Sequence, residues 1–155
     1  MLALPQDLRR VLGAWVLATF VLNLIWEVAH LPLYVFPAGA GWLLIAYDVL
    51  HCTVGDVMIA FCIFLVTSLL LRDTGWIRRR PWTGAVLVAV LGVSYTAYSE
   101  WLNVYVRQSW AYSSMMPLVF GLGVSPLVQW LILPFGITKL SRMISARSSS
   151  TGNGR

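Results

Sequence analysis

The chain has 155 residues, of which 59% are hydrophobic and only 11% charged, with a mean hydropathy of +0.76. A soluble domain carries roughly 25% charged residues, so this composition excludes an ordinary water-soluble globule and predicts a polytopic membrane protein. The net charge of +5 comes from residues that flank apolar segments. That excludes a nucleic-acid-binding module and fits contact with anionic headgroups.

At roughly 20 residues per crossing, the length leaves room for four helices and little else. Segment one runs from about Val11 to Leu31. Arg9 and Arg10 ahead of an apolar run resemble a secretory leader, but the run from Val11 to Ile25 is long for a leader core, so it is read as a retained span. Pro32 disfavours helix at the residues before it and should end the segment. Pro32–Gly41 is a short loop, with Tyr34 and Trp42 at headgroup level.

Segment two, about Leu44 to Leu71, is polar in its first half (Tyr47, Asp48, His51, Asp56) and apolar in its second. Its two cysteines, Cys52 and Cys62, are about 15 Å apart along a helix, too far for a disulfide, and are expected to be small buried hydrophobes. Arg72–Pro81 is a basic loop. Segment three, about Trp82 to Val106, inverts the order: apolar first, then Tyr95, Thr96, Glu100 and Asn103. Arg107–Ser114 is a second polar loop, and Met115–Gly123 is apolar, short and Gly-rich, which leaves a re-entrant segment open. Ser125-Pro126 is a good helix start, and the fourth helix is expected to run to about Ile144 with a kink at Pro134. The expected organisation is one membrane domain over 1–144 and a disordered tail over 145–155.

Ten of the eleven basic residues fall on one side of a four-span arrangement, and only Arg107 falls on the other. The positive-inside rule then predicts an all-α four-helix transmembrane bundle in the inner (cytoplasmic) membrane, with both termini cytoplasmic. Helical rise places Glu27 about 24 Å along span one, in the outer third. Asp48, His51 and Asp56 enter early on span two, Glu100 lies late on span three, and Gln129 sits one turn into span four. All are expected at one depth under the extracytoplasmic face, and the cytoplasmic half is expected to be nearly pure hydrocarbon.

Asn23, Glu27 and His30, at i, i+4 and i+7, share one helical face. A charged acid at the bilayer centre costs about 2.5–3.5 kcal/mol, whereas interhelical hydrogen bonds return only about 0.6 kcal/mol each. Glu27, Asp56 and Glu100 are therefore expected to be functional. Plainer roles stand beside this: Asp48 as a helix cap, His51 as a hydrated side chain, Asn103 as a cap, Trp42, Trp76, Trp82 and Trp110 as interface belts, and Trp26, Trp101 and Trp130 as packing.

Two chemistries fit. In the leading one, Glu27, Asp56 and Glu100 perform acid–base catalysis on a lipophilic, isoprenoid-like substrate, of isomerase or cyclase type. A buried carboxyl that keeps its proton suits a general acid, and indoles stabilise a developing cation. Asn23, Trp26, His51, Trp101, Asn103 and Gln129 then bind or orient, and no cofactor is needed. In the alternative, Glu27-x-x-His30 and Asp48-x-x-His51, with Glu100, bind a transition metal (Fe, Mn, Zn or Cu) after the manner of carboxylate-bridged bundles. A third reading is a non-catalytic assembly factor or accessory subunit. The expected partners are membrane lipids and a lipophilic small molecule, not nucleic acid; a homo-oligomer or larger membrane complex is left open.

The line Asn23-x-x-Trp26-Glu27, Pro32-Leu33-Tyr34, Gly55-Asp56, Glu100, Trp110-x-Tyr112, Met116-Pro117 and Gly121-x-Gly123-x-Ser125-Pro126-Leu127-x-Gln129-Trp130 resembles a group of small bacterial four-span membrane proteins of uncharacterised function. The resemblance covers nearly the whole chain, implies a four-span bundle and brings no activity. His30 is not a fixed feature of that group. In theme only, the Trp–Glu dyad is similar to membrane terpene cyclases of the Pyr-four type, and the buried acids beside Asn and Trp to emopamil-binding sterol isomerases. These imply protonation of an alkene or epoxide.

Overall fold

The structure, a computed structural model, describes residues 6–150, with side chains through 146. The described residues form five helices and one small hairpin: α1 (Gln6–His30), α2 (Trp42–Leu71), the single turn α3 (Trp76–Arg79), α4 (Pro81–Trp101), β1 (Leu118–Val119), β2 (Leu122–Gly123) and α5 (Val124–Ser150). A 3-10 turn, Leu31–Leu33, extends α1, and a π-helical turn, Leu102–Val106, extends α4. Among the described residues, three stretches are long and apolar enough to cross a membrane: Gln6–Leu33, Trp42–Leu71 and Pro81–Val106. Among the described residues α5 is long enough but does not reach the same hydropathy; Gln129, Lys139 and its serines dilute the apolar run.

The long helices form a ring in which α1 packs on α2 and α5, and α4 packs on α2 and α5. Loops join consecutive helices end to end, so the ring is up-and-down. One end holds Gln6, the 72–80 connection and the last turns of α5. The other holds His30, the 34–41 loop and the 107–123 connection.

Pro32 ends α1 where its ring requires, since α1 stops at His30 and Pro32 sits inside the 3-10 turn. The fourth helix does not stop near Ile144. It continues to Ser150 because Ser145 is buried and its hydroxyl turns back to the Arg142 carbonyl at 3.2 Å. Residues 151–155, the rest of the expected tail, lie outside the described residues. Met115–Gly123 contains a two-stranded ribbon rather than a re-entrant helix. Phe120 and Gly121 both take positive φ (51° and 81°) at its two-residue turn, the geometry of a tight hairpin.

The core sits at the end holding α3. Trp15, Phe64 and Trp76 meet with ring centroids 5.4–5.5 Å apart, and Ile77, Val88 and Ile137 surround them. Trp76 therefore belongs to the core and not to an interface belt. The α3 turn folds the loop inward, Trp76 is fully buried, and its indole N–H donates to Ser68 Oγ at 3.2 Å. Trp42 and Trp82 are exposed, as a belt requires. Both cysteines are exposed rather than buried, and Cys52 lines the cavity described below.

Nor is the half of the bundle away from the acids pure hydrocarbon. Thr19, Thr67, Ser68, Thr138, Ser141 and Ser145 are all buried there. Short hydroxyl side chains satisfy close helix packing while their polarity is hidden from a hydropathy average.

Candidate functional site

Four helices bring carboxyl and carboxamide groups together near the end that holds His30. The centre is Gln129, buried on the first turns of α5. Its amide nitrogen donates to Asn23 Oδ1 on α1 at 2.8 Å and to Asp56 Oδ2 on α2 at 2.8 Å, with Glu27 Oε1 a third, longer acceptor at 3.4 Å. Two short bonds use both hydrogens of that nitrogen. Asn23 passes its own amide hydrogen to the Thr19 carbonyl at 2.8 Å. The Asp56 and Glu27 carboxyl groups thus meet at the same amide nitrogen.

Glu27 is also held within its own helix. His30 Nε2 lies 3.0 Å from Glu27 Oε2, the i, i+3 spacing doing on one face what the sequence implies. The other ring nitrogen, Nδ1, lies 3.1 Å from Ser125 Oγ. With the proton on Nε2, the imidazole donates to the carboxylate and accepts from the serine hydroxyl. Ser125 thus serves His30.

Glu100 forms a second arm. It is buried on the last turn of α4, and the Tyr112 hydroxyl donates to its Oε2 at 2.5 Å. Tyr112 comes from the loop, and the loop is pinned to the one after α1. Val35 N–H donates to the Ala111 carbonyl and Ser113 N–H to the Leu33 carbonyl, both at 2.9 Å, and Ser113 Oγ donates to the Pro32 carbonyl at 2.8 Å. Tyr34 and Tyr112 are bridged residues with rings 5.8 Å apart, and Tyr34 also packs edge-on to His30 at 5.2 Å. Burial first, then the neighbouring Glu100 carboxylate, push both phenols above their usual range, so both stay hydrogen-bond donors at any physiological pH.

A cavity of about 750 Å³ lies among α1, α2, α4 and α5 beneath this roof. Glu27, Asp56 and Glu100 all line it, with His30, Asp48, His51, Asn103 and Gln129. Tyr34, Thr96, Cys52 and Trp130 complete the wall, and Arg107 and Ser109 stand at the loop end. No family model, curated protein or solved structure matches this chain. Its chemistry is therefore argued from this arrangement alone.

The predicted site residues divide. Asn23 lies behind the cavity wall and acts through Gln129. Trp26 and Trp101 do not line the cavity; Trp101 is half exposed and packs on Tyr98. Helix rotation decides this, since each indole follows or precedes an inward position by one residue. Asp48 lies seven residues into α2, whose N-cap is Gly41, so it is no cap. Asn103 does not cap either: its amide turns back to the Ser99 carbonyl at 2.9 Å within the π turn. His51 is exposed and stacks on Tyr47 at 5.8 Å.

The five donors of the metal alternative, Glu27, His30, Asp48, His51 and Glu100, share the cavity wall. Among the described residues, however, no three His, Cys, Asp or Glu side chains close on one point as ligands would. Both ring nitrogens of His30 already have partners, and His51 is held against Tyr47. Tyr112 and Ser125 are the residues that pattern reading missed. The signal available was their place in the Trp110-x-Tyr112 and Ser125-Pro126 pairs, which names no role.

Proposed function

We propose that this chain is a four-span intramembrane enzyme of the inner membrane, with both ends cytoplasmic, that performs acid–base chemistry on a lipophilic, isoprenoid-like substrate. The observation that carries the reading is one cavity lined by four carboxyl groups, of which Glu27, Asp56 and Glu100 each hold a neutral or basic partner. Glu27 has His30, Asp56 has Gln129 and Glu100 has Tyr112. Such partners fix carboxyl orientation.

In this mechanism Glu27 and Asp56 work as a pair. Two carboxyl groups gathered on one amide nitrogen share one proton more easily than they carry two charges. The protonated member donates to an alkene or epoxide carbon or oxygen, and the ionised member or Glu100 takes a proton back from a neighbouring carbon. Trp130 and Tyr34 in the wall supply aromatic faces to a developing cation. The wider separation of α2 and α4 gives an apolar substrate a lateral entrance from the bilayer. Fourth-span status for α5 rests on its packing along α1 and α4 and on its 27-residue length, about 40 Å at helical rise.

Purified protein incubated with a panel of isoprenoid and sterol-like lipids tests this, with isomerised or cyclised products read by mass spectrometry. Glu27→Gln is expected to fold normally and to lose turnover by about 10²–10⁴-fold, the usual worth of a general acid. Full turnover in that variant would sink the reading.

A further inference from the structure

Below the acid pair, α1 and α5 face each other with hydroxyls. Gln129 to Asn23 pins the two helices at one end of this seam; at the other, Ser141 Oγ donates to the Ile137 carbonyl of its own helix at 2.7 Å and lies 3.4 Å from the Ala14 carbonyl of α1. Between these ends, Thr19 stands five residues from Ala14 and Thr138 three residues from Ser141. At helical rise they lie within about 3 Å of the same depth. Both threonines are fully buried, and the Oγ1 of each has no hydrogen-bond partner among the described residues. Thr67 on α2 is also fully buried without a partner, whereas Thr53 Oγ1 donates to the Val49 carbonyl of its own helix at 2.8 Å; what sets the seam apart is that its two orphaned hydroxyls lie at one depth on facing helices.

Pro134 adds a further open group to the same stretch. It is buried inside α5 and has no N–H, so the Trp130 carbonyl one turn earlier loses its helical donor. Two orphaned hydroxyls and a freed carbonyl in one buried seam are the setting in which proteins hold ordered water. Ser141 and Ser145 continue the row of buried hydroxyls toward the end of the bundle that carries Gln6. At the other end the row meets Asn23 and Gln129, directly behind Glu27 and Asp56.

We infer that the α1–α5 seam binds a file of water that carries protons between the Glu27–Asp56 pair and the opposite end of the bundle. A proton enters near Ser145, and each water or hydroxyl in turn accepts one proton and releases one. The last transfer converts the Glu27 carboxylate to a carboxylic acid, and the cavity draws the proton onward from Asp56. The Asn23 and Gln129 carboxamides hold the waters and pass no proton themselves. Together with the cavity, which reaches Arg107 and Ser109 at the far end, the file completes a polar route along the whole bundle.

The test is proton flux in vesicles reconstituted with the full chain, with a trapped pH-sensitive dye and a potassium gradient plus valinomycin as the driving force. Wild-type vesicles are expected to change internal pH several-fold faster than protein-free vesicles. The Thr19→Val/Thr138→Val pair keeps side-chain shape and is expected to fall to the protein-free rate, whereas Thr19→Ser/Thr138→Ser keeps the wild-type rate. Ser141→Ala, at the far end of the file, is the second variant should the valine pair not fold, and it too should slow the flux. A wild-type rate no faster than protein-free vesicles, or a valine or alanine variant that conducts like wild type, overturns the path. The inference rests on Glu27 and Asp56 being a working acid pair, and the two readings fail separately. Lost flux in the valine pair with full turnover in Glu27→Gln keeps the path and removes the acid–base enzyme.

Discussion

At the scale of single residues, the site is built from carboxyl groups whose partners come from other helices or loops. Tyr112 is the clearest case, a loop phenol that holds the buried Glu100 of α4. A hydrogen bond to a charged group is worth about 1.5–3 kcal/mol, so Tyr112→Phe should lower unfolding free energy by about that much. Tyr47→Phe, at a mostly exposed phenol, should change it little. Chemical unfolding of both variants in detergent checks the difference, and equal losses would count against the Tyr112–Glu100 bond. His30 and Gln129 play the same part for Glu27 and Asp56, with His30 supplied by α1 itself.

At the scale of elements, the short α3 turn does more than connect. It drives Trp76 between α1, α2 and α4, and α4 makes room by placing Gly84 against the indole. A Cβ at Gly84 would lie 1.9 Å from Trp76 Cε3, which neither ring nor backbone can absorb. Gly84→Ala should therefore destabilise by about 1–3 kcal/mol or more, read as a lowered melting temperature. An unchanged melting temperature would mean that Trp76 does not pack there. The turn leading into α3 is clamped by Asp73, which accepts the Gly75 N–H at 2.8 Å and the Arg79 guanidinium at 2.9 Å. The Arg79 hydrogen bond holds the Asp73 carboxyl below the usual carboxylate range. Its folded-state value lies below its unfolded one, so the clamp is at full strength above about pH 4 and is lost as pH falls through the folded value. Asp73→Asn should lower the melting temperature at neutral pH, and the gap to wild type should close in acid. A gap that is constant with pH would rule the clamp out.

At the scale of the whole molecule, α2 and α4 are the least closely packed neighbours in the ring of helices, and the cavity is walled by all four long helices. The β-bridge between Tyr34 and Tyr112 closes the top by joining two loops that are far apart in sequence. The up-and-down order puts the N-terminal end of α1 beside the C-terminal end of α5, as the Ser141–Ala14 contact shows. If α5 is a fourth span, tags on the two termini should be accessible from the same membrane side. Protease accessibility in right-side-out and inverted vesicles checks this, and tags on opposite sides would remove the fourth crossing.

Segment positions were legible in the chain because hydropathy and proline are local. α2 begins at Trp42 against an expected Leu44 and ends at Leu71 as expected, and Pro32 marks the end of α1 without any knowledge of its neighbours. The acids were legible as costly residues for the same reason, since transfer energy belongs to the residue. Their partners were not. That Gln129 bridges Asn23 and Asp56, that Tyr112 reaches Glu100, and that Trp76 is core while Trp42 is exposed all depend on how helices rotate and slide against each other. A tryptophan reads alike in belt and core, and a threonine alike in a lipid face and a seam. Composition and charge thus determined a mostly helical chain with membrane-length helices, because these are sums along the sequence. Only the tertiary structure decided the cavity, its roof and the hydroxyl seam, because register and rotation are set by packing between segments as far apart in sequence as Asn23 and Gln129 or Ala14 and Ser141.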